Sequence, residues 1–276
     1  MSQDQPEAKP HISPSSLDLH ARCGEQYRRV KICGERIPPG IALIKGTSVH
    51  VAAETNFKSK IETGQDLPVD KLCQIAVAAV DTRIKEEGIS LTREEQTVGV
   101  AKVVGQLKDR SVGLTRLFAT EVAPTIRPAS VEETVRVVIP ESSHDLLGRL
   151  DLTSDQDEVV DFKTSGKTPK ASTYERSDQF TFYDAAYEAT RGRKPACVRV
   201  EAMIDLKTPK RVPLKIQRTP ADRVVLVARM NAMLASLKAG IFMPANPGAW
   251  WCSEKWCGFA PTCVYFNPER LSDSEE

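Results

Sequence analysis

The residues best equipped for chemistry lie close together in the sequence: Gly148-Arg-Leu-Asp151, then Val159-Val-Asp-Phe-Lys163, then Gln179 and Tyr183. An acidic residue ends one apolar run, and an Asp-x-Lys closes the next. Strand side chains alternate faces, so Asp161 and Lys163 point the same way. If the two runs pair as a hairpin, Asp151 joins them, giving two carboxylates and one ammonium in a small space. Soluble folds rarely bury such a trio without a use for it, because unpaired buried charge is expensive. Two carboxylates can hold a hard divalent cation, and a nearby lysine can polarise a water or steady an oxyanion. That is equipment for hydrolysing a phosphodiester.

Regular elements must bring these groups together. Residues 1–10 and the acidic end 267–276 read as disordered. Ser13-Pro14 opens a helix, with Ser13 as N-cap, Pro14 at the first helical position, and Ile12 and Leu17 spaced as a hydrophobic staple. Cys23, Tyr27 and Val30 follow on it at helical spacing. Pro38-Pro39-Gly40 is a break. Further helices are expected over about 46–58 and 68–87, and a long one begins at the capping box Thr92-Arg-Glu-Glu95 and ends before Pro124. Strand patterns cover 131–139, 144–153 and 158–163, the first two joined by a Pro-Glu-Ser-Ser turn. A helix over 172–191 puts Gln179 and Tyr183 on one face. Two more strands, 197–205 and 211–217, precede a last helix over 221–239 that Gly240 stops. The order is a helical region (11–125), an α/β core (130–240) and a Cys-rich tail (241–266), read together as a single domain over 11–266.

Length and composition set limits on the function. The 276 residues are 41% hydrophobic and 27% charged, ordinary for one large soluble domain. No run approaches the roughly 20 apolar residues of a membrane span, and Met1 to Lys9 lacks the apolar core of a secretory signal. A cytoplasmic protein with no membrane partner is expected. The net charge of +1 makes the chain no polycation, so contact with nucleic acid must come from local patches. Lys163 to Arg176 and Lys207 to Arg218 are candidates, although either can equally be an ordinary solvated face. Glu132 and Glu133, at the start of the 131–139 strand, can also line the site, but solvated strand-edge charges are the preferred reading. No Gly-x-x-x-x-Gly-Lys-[Ser/Thr] occurs, so no helicase motor is present.

Together these residues resemble the PD-(D/E)XK nuclease superfamily. They are similar in particular to its RecB-like exonuclease branch, with the AddB-type helicase–nucleases and the CRISPR-associated iron–sulfur exonucleases. The matching motifs are Gly46-Thr-Ser-Val-His50, Gly148-Arg-Leu-Asp151, Asp161-Phe-Lys163 and Gln179-Phe-Thr-Phe-Tyr183. The resemblance implies a restriction-endonuclease-like α/β fold, a mixed central sheet flanked by helices. It further implies that His50, Asp151, Asp161 and the backbone carbonyl of Phe162 bind Mg²⁺ or Mn²⁺. Lys163 then positions or activates the attacking water, and Gln179 and Tyr183 orient the scissile strand or brace the site. The expected function is a metal-dependent DNA exonuclease acting on single strands or duplex ends in recombination, repair or phage DNA metabolism, in a bacterial or phage-infected cell and with a recombination or replication protein as a further candidate partner. The alternatives are a structure-specific endonuclease on the same fold, or an inactive DNA-binding scaffold. The scaffold is disfavoured because Asp151, Asp161 and Lys163 are all present.

The tail carries a second candidate site. Cys33, Cys73 and Cys197 are scattered and read as ordinary core or surface thiols. Cys252, Cys257 and Cys263 instead crowd into a C-x₄-C-x₅-C run, one thiol short of a tetrahedral site. In the resembled branch the fourth ligand comes from the N-terminal helix and the site is a [4Fe–4S] cluster; Cys23 matches that position. The first gap is wider than the family's usual x₂. Zinc on four thiolates, or no metal at all, also fits these residues.

Overall fold

The two apolar runs that end in Asp151 and Lys163 form adjacent antiparallel strands at the centre of a mixed sheet. In this computed structural model residues 9–266 are described, so the expected disorder of 1–8 and 267–276 lies outside the described residues. The strands are β1 (His11–Ile12), β2 (Pro128–Val137), β3 (Asp145–Ser154), β4 (Glu158–Ser165), β5 (Cys197–Ile204) and β6 (Lys210–Ile216). They run in the order β1-β3-β4-β5-β6, with β2 also paired to β3. β4 and β5 are parallel; β2–β3, β3–β4 and β5–β6 are antiparallel. Every residue of β5 is buried, as a central strand covered on both faces requires.

The helices are α1 (Pro14–Arg22), α2 (Gly24–Tyr27), α3 (Ile41–Thr63), α4 (Val69–Glu87), α5 (Arg93–Val98), α6 (Val100–Leu117), α7 (Ala171–Glu175), α8 (Asp178–Arg191) and α9 (Pro220–Lys238). One sheet face packs Leu146, Leu150, Val159 and Val200 against Leu17 of α1, Phe182 of α8 and Met230 of α9. The other packs Leu152, Val160, Phe162 and Met203 against Val49 and Phe57 of α3, Leu72 of α4 and Leu114 of α6. The result is an α/β fold with a mixed central sheet flanked by helices.

Several boundaries differ from the sequence expectation, each for a local reason. Lys9 and Pro10 are not part of a disordered start: the Lys9 ammonium donates to the carbonyls of Ile139 and Ser142, and the Pro10 carbonyl accepts from the Asp145 N–H. The first helix breaks at Cys23, whose extended backbone (φ −161°, ψ 106°) makes it the N-cap of α2, its thiol accepting from the Gln26 N–H. The capping box at Thr92 forms, but it starts only the short α5. Gly99, at φ 93°, then redirects the chain into α6, a conformation cheap only for glycine. Similarly, Arg176 and Ser177 separate α7 from α8, and the buried Arg218 guanidinium binds the carbonyls of Tyr174 and Ser177 at that break.

Two strands share an edge of β3. Because β2 fills one edge along its length, β1 and β4 must both lie on the other. β1 pairs there only at Asp145 and Leu146, and β4 only at Leu152 and Thr153. Between them the edge of β3 is left open, and Gly148 to Asp151 lie in that opening.

Candidate active site

The side chains assembled at this opening come from four elements: β3, β4, α8 and α3. The β3–β4 ladder stops at Leu152↔Val160, so Asp151 and Asp161 sit where the strands part. Asp161 and Lys163 share a face of β4, and the Lys163 ammonium donates to Asp161 Oδ1 at 2.9 Å. From α8, Gln179 accepts from Lys163 at 3.2 Å and donates to the Tyr183 hydroxyl at 2.7 Å. That hydroxyl lies 3.3 Å from Asp161 Oδ1 and 3.4 Å from Asp151 Oδ1. His50, reaching from α3 on the opposite face of the sheet, places Nδ1 3.5 Å from Asp151 Oδ2. The Phe162 N–H also points at Asp151 Oδ2, 3.4 Å away, so the peptide of Phe162 borders the site. The fold therefore brings together His50, Asp151, Asp161, Phe162, Lys163, Gln179 and Tyr183.

The two motif glycines are there because of close approach. A Cβ on Gly148 would lie 2.5 Å from Cε1 of Phe182, so only glycine lets α8 settle onto β3 with Gln179 and Tyr183 over the carboxylates. A Cβ on Gly46 would come within 3.2 Å of Thr164 Oγ1, and that contact sets α3, and with it His50, against β4. Both glycines permit a helix to reach the sheet at the depth the site needs.

Electrostatics set the protonation states. Asp161 is fully buried, and burial first, with the charge of Asp151 adding, pushes its carboxyl up to about 6 against the opposing pull of Lys163. For Lys163, burial works against the charge, but Asp161 outweighs it and holds the ammonium above its ordinary value. Burial and the two carboxylates push the Tyr183 phenol well above its usual range. At neutral pH the site thus presents an ammonium and a neutral phenol as donors facing two carboxylates.

One oxygen is left over. Asp161 Oδ2 is buried without a hydrogen-bond partner, and an orphaned buried carboxylate oxygen is costly. A hard cation satisfies it, so the donor set of Asp151, Asp161 and His50 fits a divalent ion in chemistry. Among the described residues, however, no group of three or more His, Cys, Asp or Glu side chains is arranged to hold a metal ion. The donors converge on the site without forming a closed cage.

Glu132 is not the solvated strand-edge charge that the sequence suggests. Its side chain is only 12% exposed and pairs with Arg149. Burial first raises its carboxyl above the ordinary range, against the pull of Arg149, and the charges of Asp151 and Glu54 add to the rise. The signal was in the turn: a hairpin centred between Glu141 and Ser142 sets Glu132 opposite Asp151. Glu133 does engage an exposed partner, Arg191 on α8, at 2.7 Å.

Of the two basic patches, Lys207 to Arg218 is largely committed to structure. Arg211 bonds Glu201 at 2.7 Å, Lys215 pairs with Glu158 at 2.8 Å, and Arg218 is buried. In the first patch Lys167, Lys170 and Arg176 remain exposed beside the site. A groove of about 660 Å³ is lined by Lys163, Gln179, Tyr183, Leu147 and Arg149 and, on α1, by Asp18 and Arg22.

The comparisons with known proteins agree with this geometry. The sequence model of the PD-(D/E)XK nuclease superfamily matches residues 11–264. The chain belongs to the PD-(D/E)XK nuclease superfamily. A solved crystal structure of a candidate exonuclease from Eubacterium rectale has the same fold, with a TM-score of 0.56 at 12% identity over 88% of this chain and 87% of that one. No curated protein matches the chain. Within this PD-(D/E)XK chain, no helix among the described residues is long and apolar enough to cross a membrane.

The cysteines of the tail meet the N-terminal helices. Cys23, Cys252, Cys257 and Cys263 line one small cavity of about 20 Å³, walled also by Pro244 and Phe259. Cys23 Sγ accepts from the N–H groups of Gln26 and Ala245, both at 3.4 Å. Burial first, then the neighbouring thiols, raises the Cys252 thiol; burial also raises Cys257, opposed by the N–H groups of Phe259 and Ala260. Cys33 is exposed, and Cys73 and Cys197 are buried elsewhere.

Proposed function

We propose that this PD-(D/E)XK protein is a Mg²⁺- or Mn²⁺-dependent DNA exonuclease acting in recombination, repair or phage DNA metabolism. The observation that carries this reading is Asp161: fully buried, beside a second carboxylate, with one oxygen unsatisfied and the other bound to Lys163. Residues 11–266 act as one nuclease unit, a cytoplasmic protein whose substrate is DNA.

Asp151, Asp161 and His50, with the Phe162 carbonyl, would hold the cation. A bound Mg²⁺ or Mn²⁺ supplies charge for the phosphate and acidifies a coordinated water. The protein's own groups do the rest. Lys163 is kept protonated, so it serves as a fixed positive charge that orients the water and meets the developing oxyanion rather than as the base. Tyr183 and Gln179 hold Asp161 and Lys163 in register and present donors to the strand. Cys23, Cys252, Cys257 and Cys263 would hold a [4Fe–4S] cluster joining the two ends of the chain. Four thiols around one cavity support that assignment.

The test is digestion of end-labelled oligonucleotides with and without Mg²⁺ or Mn²⁺. Wild type should shorten them only with metal, and Lys163→Ala should lose about 100-fold or more in turnover while keeping its melting temperature. Cleavage without metal, or undiminished cleavage by Lys163→Ala, overturns the reading.

A further inference from the structure

The tail carries a feature that neither the carboxylate site nor the thiols use. Trp250 and Trp256 are 66% and 52% exposed, although large aromatic side chains are normally buried. They stand edge to face with centroids 5.3 Å apart, and Trp250 meets Trp251 in the same way at 5.5 Å. The array is anchored: the Trp251 indole N–H donates to the Arg22 carbonyl at 3.3 Å, and Arg93 reaches Glu254 at 3.4 Å. Lys255 lies over the Trp256 ring at 5.7 Å.

Its position gives it a use. Arg22 is the last residue of α1 and also lines the groove that Lys163 and Tyr183 line. The nine residues of α1 extend about 13 Å at about 1.5 Å per residue, room for a few nucleotides along the groove beside this helix. Exposed Arg22 and Arg149 line this groove together with the acidic Asp18 and Asp178, and Glu254 and Lys255 precede Trp256 in the tail.

We infer that Trp250 and Trp256, with Lys255, form a base-stacking platform for single-stranded DNA whose other end lies in the groove at Lys163, Gln179 and Tyr183. This rests on the proposed function and adds the strandedness of the substrate. Stacking needs bases with free faces, which an unpaired strand offers and a duplex interior does not, and it tolerates any sequence. The continuity of the indoles with the groove, together with Lys255, favours nucleic acid over an apolar protein partner.

The experiment measures binding of labelled oligothymidylates of increasing length to the full chain in buffer without divalent metal, beside the cleavage assay with metal. Wild-type affinity should rise in a step once the strand spans from the groove to the indoles. Trp250→Leu and Trp256→Leu should each weaken binding of the long strands by about five-fold or more and remove the step. Trp250→Phe and Trp256→Phe, which keep a ring, should retain it. If wild type cuts and binds DNA while the Leu variants bind like wild type at every length, the platform alone is overturned, and the indoles serve protein contact or packing. Equal loss in the Phe and Leu variants, or a lowered melting temperature accounting for it, also overturns the platform. A wild type that neither binds nor cuts DNA overturns the proposed function and the platform with it.

Discussion

Glu132 stands opposite Asp151 across the β2–β3 ladder, in the position skipped between the pairs Val131↔Leu152 and Glu133↔Leu150, with a left-handed backbone at φ 54°. A glutamate rarely adopts that conformation, which costs about 1–2 kcal/mol. It coincides with a change of face. Val131 packs with the α3 side of the sheet, but Val135 packs with the α8 side; Leu150 and Leu152 divide between the same two cores. Asp151 lies at this crossing and so reaches His50 on one face and Tyr183 on the other.

The strain at Glu132 is testable. Glu132→Gly removes both the left-handed penalty and a buried carboxylate beside Asp151, so the metal-free protein should melt higher, by the equivalent of about 1 kcal/mol. The stabilisation given by added Mn²⁺ should shrink, because one of the charges facing the cation is gone. Thermal melts with and without Mn²⁺ read both effects. A lower metal-free melting temperature would mean that the pairing with Arg149 outweighs the strain.

Asp161 makes stability depend on pH. Its folded pKa of about 6 lies above the ordinary Asp value of about 3.9, so the folded state holds the proton more tightly than the unfolded chain. The contribution of Asp161 to metal-free stability is therefore fully present below about pH 4 and is lost as pH rises through about 6, whereas carboxylates held low by their partners, such as Glu158 and Asp145, contribute in the opposite direction. A divalent cation competes with that proton, so the stabilisation by Mn²⁺ should grow across the same interval. Asp161→Asn should flatten both curves when melting temperature is followed against pH.

Gly148 should tolerate no side chain. Phe182 is fully buried and cannot move aside from a Cβ 2.5 Å from its ring. Gly148→Ala should cost about 1–3 kcal/mol as overpacking and should push α8 away from the carboxylates, so activity falls more than folding does. Adding Phe182→Leu should recover much of the stability. Denaturant unfolding of the single and double variants distinguishes this from a loss of backbone freedom alone, which the second substitution would not repair.

Much of this was legible before any coordinates. Alternation put Asp161 and Lys163 on one face, helical spacing joined Gln179 to Tyr183, and caps fixed the start of α1 at Ser13 and of α5 at Thr92, because these signals are local. Glu132 is raised by the sequence as a lining residue but ranked below a solvated charge, because its place depends on hairpin register and on the charges of Arg149, Glu54 and His50, far away in sequence. The breaks at Cys23 and Gly99 escaped for a similar reason. Helical periodicity continues through both, and what interrupts it is a thiol used as a cap and a glycine at positive φ. Nor could the sequence tell that Arg211 and Lys215 are taken up by Glu201 and Glu158, since the pairing crosses strands.

The thiol cavity gives the most demanding prediction, because it ties residue 23 to residues more than two hundred positions away. If the four cysteines share one cluster, substituting Ser for Cys23, Cys252, Cys257 or Cys263 should give one phenotype: loss of the brown iron–sulfur colour, with both chain ends loosened together. Closing so long a loop is worth about 5 kcal/mol on the chain-entropy scale used for disulfides, so each variant should lose a large part of its stability. Limited proteolysis should then cut early near Trp250 and near Cys33 alike. Cys33→Ser is the control, since that thiol is exposed and outside the cavity; it should keep the colour and the wild-type digestion pattern. A colourless wild type containing zinc would assign the same four thiols to a single ion. Retained colour in Cys23→Ser would remove the N-terminal ligand from the site altogether.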